Sequence, residues 1–329
     1  MGQHEGNDGA LQLALEWDGQ GIAAARIASP RPLAARLLQG RPAAEAGELA
    51  PRLFTLCAAA QGSAARRALA AAAGTPMAEP DGAERQRLSR EMIGEHLWRL
   101  GLDWPPLLGL PPRKEALVAW RKGLPAADRP QWRSFAAHAL ELPLCAAPGT
   151  DLLEHLDASA WWQSLPGERD WDCLSAHALA PTLAGRPRET GAAARCRRQP
   201  EVTALWQAGR RAAARLQARC LELEALLDGH WDPAWVDACS PAPGIGLARV
   251  ETARGPLLHL VALAAGTVQR YVIVAPTEWN FHPAGAFVQD TTGLPAPTPE
   301  AARHMARCIA LSLDPCVAVG ITLDTHHHA

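Results

Sequence analysis

The chain has 329 residues, 48% of them hydrophobic, enough to bury a sizeable core. Its formal net charge of -2 removes the electrostatic case for nucleic acid or an anionic membrane as partner. No apolar run reaches the ~18 residues of a membrane span. The opening Met1-Gly2-Gln3-His4-Glu5 lacks the basic and apolar regions of a signal peptide, so the cytoplasm is the expected compartment.

Alternating Leu11, Leu13 and Leu15, a turn at Asp18-Gly19 and a return over Ile22 to Ile27 predict a β-hairpin across 11–28. Ser29-Pro30-Arg31-Pro32 breaks it, and a short amphipathic helix is expected to stop at Gly40. Pro51 is read as opening a longer helix that carries Cys57 and ends near Gly74. A polar linker at 75–86 precedes a mainly helical stretch from about 87 to 240, with its clearest helices at Arg90–Leu102 and Thr203–Leu227. Strand character follows over 246–274, where Leu257 to Leu263 and Val268 to Val274 flank a turn at Ala265-Gly266. A loop with Pro295, Pro297 and Pro299 leads to a last helix over roughly 299–312.

Eight cysteines are scattered without a C-x-x-C, which argues against a zinc finger or thioredoxin-like site. In a reducing compartment most are expected to be free, packed thiols. The 12 tryptophans read as packing rather than a cofactor stack. His326-His327-His328 could bind metal but reads as an incidental terminal triplet. Asp170, Asp172 and Cys173 fit no ligand spacing, and His259 is expected to pack or hydrogen-bond near the strands. No Ser-His-Asp order, phosphate loop or paired carboxylate motif is present.

Two segments stand apart. Arg52-Leu53-Phe54-Thr55-Leu56-Cys57, with Gln61 beyond it, resembles the R-x-C-G-x-C-x-x-x-H motif of nickel-iron hydrogenase large subunits. Asp314-Pro315-Cys316, with Val319 and Thr322, resembles their D-P-C-x-x-C-x-x-H. One thiol of each pair survives. Gly9-Ala10-Leu11 before the hairpin, Arg41-Pro42 after Gly40, Glu251-Thr252-Ala253-Arg254-Gly255 with His259, and Pro276-Thr277-Glu278-Trp279-Asn280 resemble further large-subunit motifs, in family order. The likeness covers roughly residues 8–75 and 246–320. With so many ligands replaced, and with Arg90-Glu91-Met92 through Asp103-Trp104-Pro105, the chain is most similar to HupK/HoxV-type hydrogenase maturation proteins.

The resemblance implies an α+β, predominantly helical, large-subunit-like fold: a single domain over 1–329, with an N-terminal hairpin and Cys57 helix (1–75), a helical middle (87–240) and a C-terminal strand and Cys316 segment (246–320). It implies a non-catalytic scaffold that transiently binds an Fe(CN)2(CO) unit and no nickel. Phe54 and Val319 cannot ligate, whereas Cys57 and Cys316 offer thiolates to iron. Cyanide ligands need hydrogen-bond donors, which the resemblance assigns to Arg254 and Thr277. Arg254 is expected to lower nearby thiol pKa values, and Asp314 to orient Arg254 or another neighbouring group. Implied partners are the apo large subunit and the upstream iron-delivery chaperones. Asp8 would stand at the family's proton-transfer glutamate, and with Thr322 in place of the final histidine no proteolytic maturation is expected. The rivals are a metal-free mimic of the large subunit and, less favoured, a divergent hydrogenase.

Overall fold

The computed structural model describes residues 10–28, 34–76, 78–123, 138, 142–145, 149–165, 167 and 169–325. Asp8, Gly9, the break at Ser29 to Pro32 and His326 to His328 lie outside the described residues. The architecture is α+β, with two sheets packed among helices.

The hairpin forms as β1 (Leu11–Trp17) and β2 (Ile22–Ala28), paired antiparallel. Leu11, Leu13 and Leu15 face a core made with Phe287, Leu294 and Ile309. The second sheet runs β3-β4-β5-β6, all antiparallel: β3 Val236–Ala242, β4 Ile245–Thr252, β5 Gly255–Ala264 and β6 Thr267–Val274. A final strand, β7 (Val319–Thr325), pairs in parallel with β1, matching Leu11 to Val319 and Trp17 to Thr325. The N-terminal hairpin and the segment after Cys316 therefore lie side by side, which is the closure the resemblance implies.

Several boundaries differ from the sequence reading. The short helix before Gly40 is a 3-10 turn, Ala34–Leu38. Pro51 lies inside α1 (Ala43–Leu53) instead of opening a helix. Having no N–H, it cannot extend the helix's hydrogen bonding, and the chain leaves helical geometry at Phe54 (φ -125°). A 3-10 turn, Thr55–Cys57, follows, and α2 (Ala58–Ala72) begins immediately after Cys57. Cys57 therefore sits at a helix start, not within a helix. α3 (Gly82–Trp98) starts earlier than expected because Asp81 caps it, accepting from the Glu84 N–H at 2.7 Å. The expected helix over Thr203–Leu227 is two helices, Pro200–Gln207 and α4 (Arg211–Leu227), separated at Gly209. Gly209 takes φ +72°, which glycine adopts without strain as a helix ends. Pro276–Asn280 forms α5, and α6 (Pro299–Ser312), capped by Thr298, falls where the sequence places it.

The β4 strand is buried along nearly its whole length. Leu258, Leu260, Val272 and Val274 pack with Trp161, Leu165 and Trp279 on one face, while Leu257 and Val261 lie on the face towards α2. The approach of α2 is so close that a Cβ on Gly246 would stand 1.9 Å from Ala68 O and 2.4 Å from Ala72 N. Neither backbone atom can yield without moving the helix. Gly246→Ala is expected to lower stability by at least ~1–3 kcal/mol, read as a fall in the urea midpoint. An unchanged midpoint would mean that α2 can lift off the sheet without penalty.

Among the described residues no helix is long and apolar enough to cross a membrane.

Candidate functional site

Four segments deliver the residues singled out in the sequence. Cys57 immediately precedes α2, Arg254 lies in the β4–β5 turn, Thr277 is in α5, and Asp314 and Cys316 occupy the loop between α6 and β7. The fold gathers all five. Thr277 Oγ1 donates to Cys316 Sγ at 3.1 Å, and the Cys316 N–H approaches Thr277 Oγ1 at 3.4 Å. Arg254 Nε lies 3.4 Å from Asp314 Oδ1. Both Cys316 and Arg254 are near enough to Cys57 to act on its thiol electrostatically. Cys57 and Cys316 are each partly buried, whereas Thr277 and Arg254 are buried.

The Cys316 loop is held by charge. Asp314 adopts φ +57° after α6, a left-handed position that asparagine and aspartate tolerate better than most residues. Its buried carboxylate accepts from Arg99 Nε at 2.5 Å and Arg219 Nη2 at 2.8 Å, besides its contact with Arg254. Those three guanidinium groups outweigh the cost of burial and hold Asp314 far below the usual carboxylate range. Arg99 also donates to Pro315 O, one residue before Cys316. It begins a π-helical turn, Arg99–Asp103, that continues α3. Arg254 Nη2 is clamped by Glu95 Oε2 at 2.5 Å. Asn280 Nδ2 reaches both Arg254 O and Leu313 O at 3.3 Å, tying α5 to the other two segments.

The supporting ions were not identified from the sequence. Arg211, Arg215 and Arg219 recur every four residues on α4 and are buried. Arg211 and Arg215 meet Asp290 at 2.6 Å, and Arg215 meets Glu189 at 2.7 Å. Arg219 Nη1 donates to His96 Nδ1 at 2.9 Å, so His96 carries its proton on Nε2 and donates it to Glu222 at 2.8 Å. Glu91, Glu95 and Arg99 show the same spacing on α3 and its continuation. Charge repeating every fourth residue along two helices was the available signal, but it reads equally well as two solvated faces.

The expected pull of Arg254 on the Cys57 thiol is present but outweighed, so the Cys57 pKa does not fall below its ordinary value. Burial pushes the Cys57 thiol up to about 12, with Glu91 and Cys316 adding to the rise, and the pull of Gln61 and Arg254 is too small to reverse it. Glu91 accepts from the Ala59 and Ala60 N–H groups at the start of α2, and burial raises its own pKa to about 7. Iodoacetamide at pH ~8 should therefore alkylate Cys57 some 100- to 1,000-fold more slowly than exposed Cys173, as followed by peptide mass spectrometry. Equal rates would contradict this.

The donor set is sparse. Among the described residues no three His, Cys, Asp or Glu side chains cluster as a metal-binding group. Asp314 and Glu95 are committed to arginines. What remains is two thiols, the Thr277 hydroxyl, the Glu91 carboxyl, which accepts from the Ala59 and Ala60 N–H groups, and a buried arginine whose Nε has no hydrogen-bond partner among the described residues. Such a site suits a metal that brings its own ligands and needs hydrogen bonds around them, better than a bare ion that needs a full protein shell.

The nickel-dependent hydrogenase family model matches residues 180–322. The chain is 35% identical to the hydrogenase expression/formation protein HupK of Rhizobium leguminosarum bv. viciae, over 88% of this chain and 89% of that protein. It is 31% identical to the hydrogenase expression/formation protein HoxV of Cupriavidus necator, over 88% of this chain and 91% of that protein. The Ni-Fe-Se hydrogenase of D. vulgaris Hildenborough superposes with a TM-score of 0.58 at 14% identity, over 92% of this chain and 94% of that one. The fold is that of a nickel-iron hydrogenase large subunit.

Proposed function

Because the chain belongs to the HupK/HoxV family of hydrogenase expression/formation proteins, we propose that it is a non-catalytic assembly scaffold, with the Fe(CN)2(CO) unit as its cargo. It receives that unit from upstream iron-delivery chaperones in the cytoplasm and passes it to an apo nickel-iron hydrogenase large subunit.

The observation that carries the proposal is the convergence of Cys57 and Cys316 with Arg254 and Thr277 from four separate segments. Cys57 and Cys316 supply thiolates to the low-spin iron. Arg254, and Thr277 once its hydroxyl turns from Cys316 Sγ, supply hydrogen bonds to its cyanides, which are strong acceptors and costly to bury unpaired. Asp314 holds Arg254 in place. Phe54 and Val319 occupy two positions where a large subunit has thiolates, so the set is too small for nickel.

Protein purified from a strain that makes the cofactor tests this reading. Infrared bands of metal-bound carbonyl and cyanide, with stoichiometric iron and no nickel, are the expected result. A protein without those bands that still supports full maturation in cells would establish the rival, a metal-free mimic of the large subunit. The sparse set of metal-binding side chains is the observation in that rival's favour.

A further inference from the structure

Strand alternation places His259 on the α2-facing side of β5 with Leu257 and Val261, and the β5–β6 register sets Tyr271 opposite Val261. Gln61 meets them from α2. The contacts form a file: Tyr271 Oη to His259 Nδ1 at 2.8 Å, His259 Nε2 to Gln61 Oε1 at 2.9 Å, and Gln61 Nε2 to Cys57 Sγ at 3.5 Å. Gln61, His259 and Tyr271 are buried, with relative exposures of 2%, 0% and 3%.

With a neutral His259 ring, only one arrangement of protons satisfies every member when Cys57 is a thiolate. A thiolate only accepts, so the Gln61 amide nitrogen must point to Cys57 and its oxygen to His259. That oxygen requires a proton on His259 Nε2, which leaves Nδ1 to accept from the Tyr271 hydroxyl. We propose that Gln61 is a positioning residue that keeps an N–H on the Cys57 sulfur, locked in orientation by His259 and Tyr271. The file thereby limits the electron density that Cys57 donates to bound iron. This rests on the iron-scaffold reading above. Burial agrees with a neutral imidazole, since it holds the His259 pKa down to about 3.

Gln61→Met and Tyr271→Phe test it. Methionine keeps the length and bulk of glutamine without its N–H. Tyr271→Phe leaves Nδ1 unpaired and loosens the ring that holds the Gln61 oxygen, while the proton stays on Nε2. In cargo-loaded protein Gln61→Met is expected to shift the carbonyl stretch to lower wavenumber, because a sulfur relieved of a hydrogen bond donates more charge to iron, and Tyr271→Phe, which only loosens that hydrogen bond, to shift it less in the same direction. Loss of the bands from Gln61→Met protein that remains folded by circular dichroism also supports the file. If Gln61→Met does not fold, Tyr271→Phe decides.

A second readout does not use the bands. In cargo-loaded protein, where Cys57 is a thiolate, two-bond proton–nitrogen spectra of His259 should show the neutral ring protonated on Nε2. Bands that are present and superimposable in all three proteins, or an Nδ1-protonated ring in the loaded unsubstituted protein, would overturn the inference. If the unsubstituted protein has no bands, the scaffold reading itself fails; bands that are present but do not move in the variants overturn this inference alone.

Discussion

Cys57→Ala, and separately Cys316→Ala, is expected to remove the carbonyl and cyanide bands and the bound iron while leaving a folded protein. On the scaffold reading each substitution turns a two-point hold into a single thiolate, and among the described residues the neighbouring carboxylates are already engaged, Glu91 by the Ala59 and Ala60 N–H groups. Asp314 and Glu95 are paired to arginines, and Thr277 is neutral. Both cysteines are only partly buried, so truncation to alanine should cost no more than about 1 kcal/mol of stability. Binding and folding can therefore be scored apart. Thr277→Val, which removes the hydroxyl and keeps the shape, should weaken retention by ~10- to 100-fold and leave the bands visible at high loading. Iron content by atomic absorption and infrared spectra of matched preparations check both. Full iron and unchanged bands in either cysteine variant would mean that the cargo, if it binds, binds elsewhere.

The parts of this site that were legible in the sequence are those fixed by local rules. Leu11, Leu13 and Leu15 alternate and form β1, and Thr298 followed by Pro299 marks the start of α6. The cysteines and Arg254 were found by motif order, which local physics alone does not supply. The residues that support them were not found, because their role depends on partners distant in sequence. Arg219 reads as a solvated helix residue until Asp314 and His96 are placed against it. Glu95 has no evident task until the β4–β5 turn brings Arg254 to it. β7 is obscured for a different reason: Val319, Ile321 and Leu323 alternate as a strand should, but Val319 and Thr322 stand at ligand positions of the hydrogenase motif, which hides that alternation. Pro51 reads as the first residue of a helix, which puts Cys57 in its second turn; in the fold Pro51 lies near the end of α1, and the break that follows leaves Cys57 just ahead of α2.

Asp314→Asn should be among the most damaging single changes in the protein. Asparagine tolerates the left-handed backbone at this position as well as aspartate does, so the substitution isolates charge from strain. It leaves Arg99, Arg219 and Arg254 around a neutral amide, two of them almost fully buried. Breaking a buried pair from one side costs about 3–5 kcal/mol, because the stranded charge cannot return to water. The urea midpoint at pH ~7 should fall accordingly, with little change in slope. The pH dependence has a fixed sign. The folded pKa of Asp314 is depressed, so its contribution is fully present above the unfolded value near 4 and is lost as pH falls below that towards the folded pKa. The unsubstituted protein should therefore lose stability on acidification faster than Asp314→Asn, and the two curves should converge. Adding Arg99→Met to Asp314→Asn should recover part of the loss, since it removes one of the three cations left facing a neutral amide and fills its space with an apolar side chain. If the two single losses simply add in the double variant, Arg99 stabilises the Cys316 loop mainly through Pro315 and Asp103, not through Asp314.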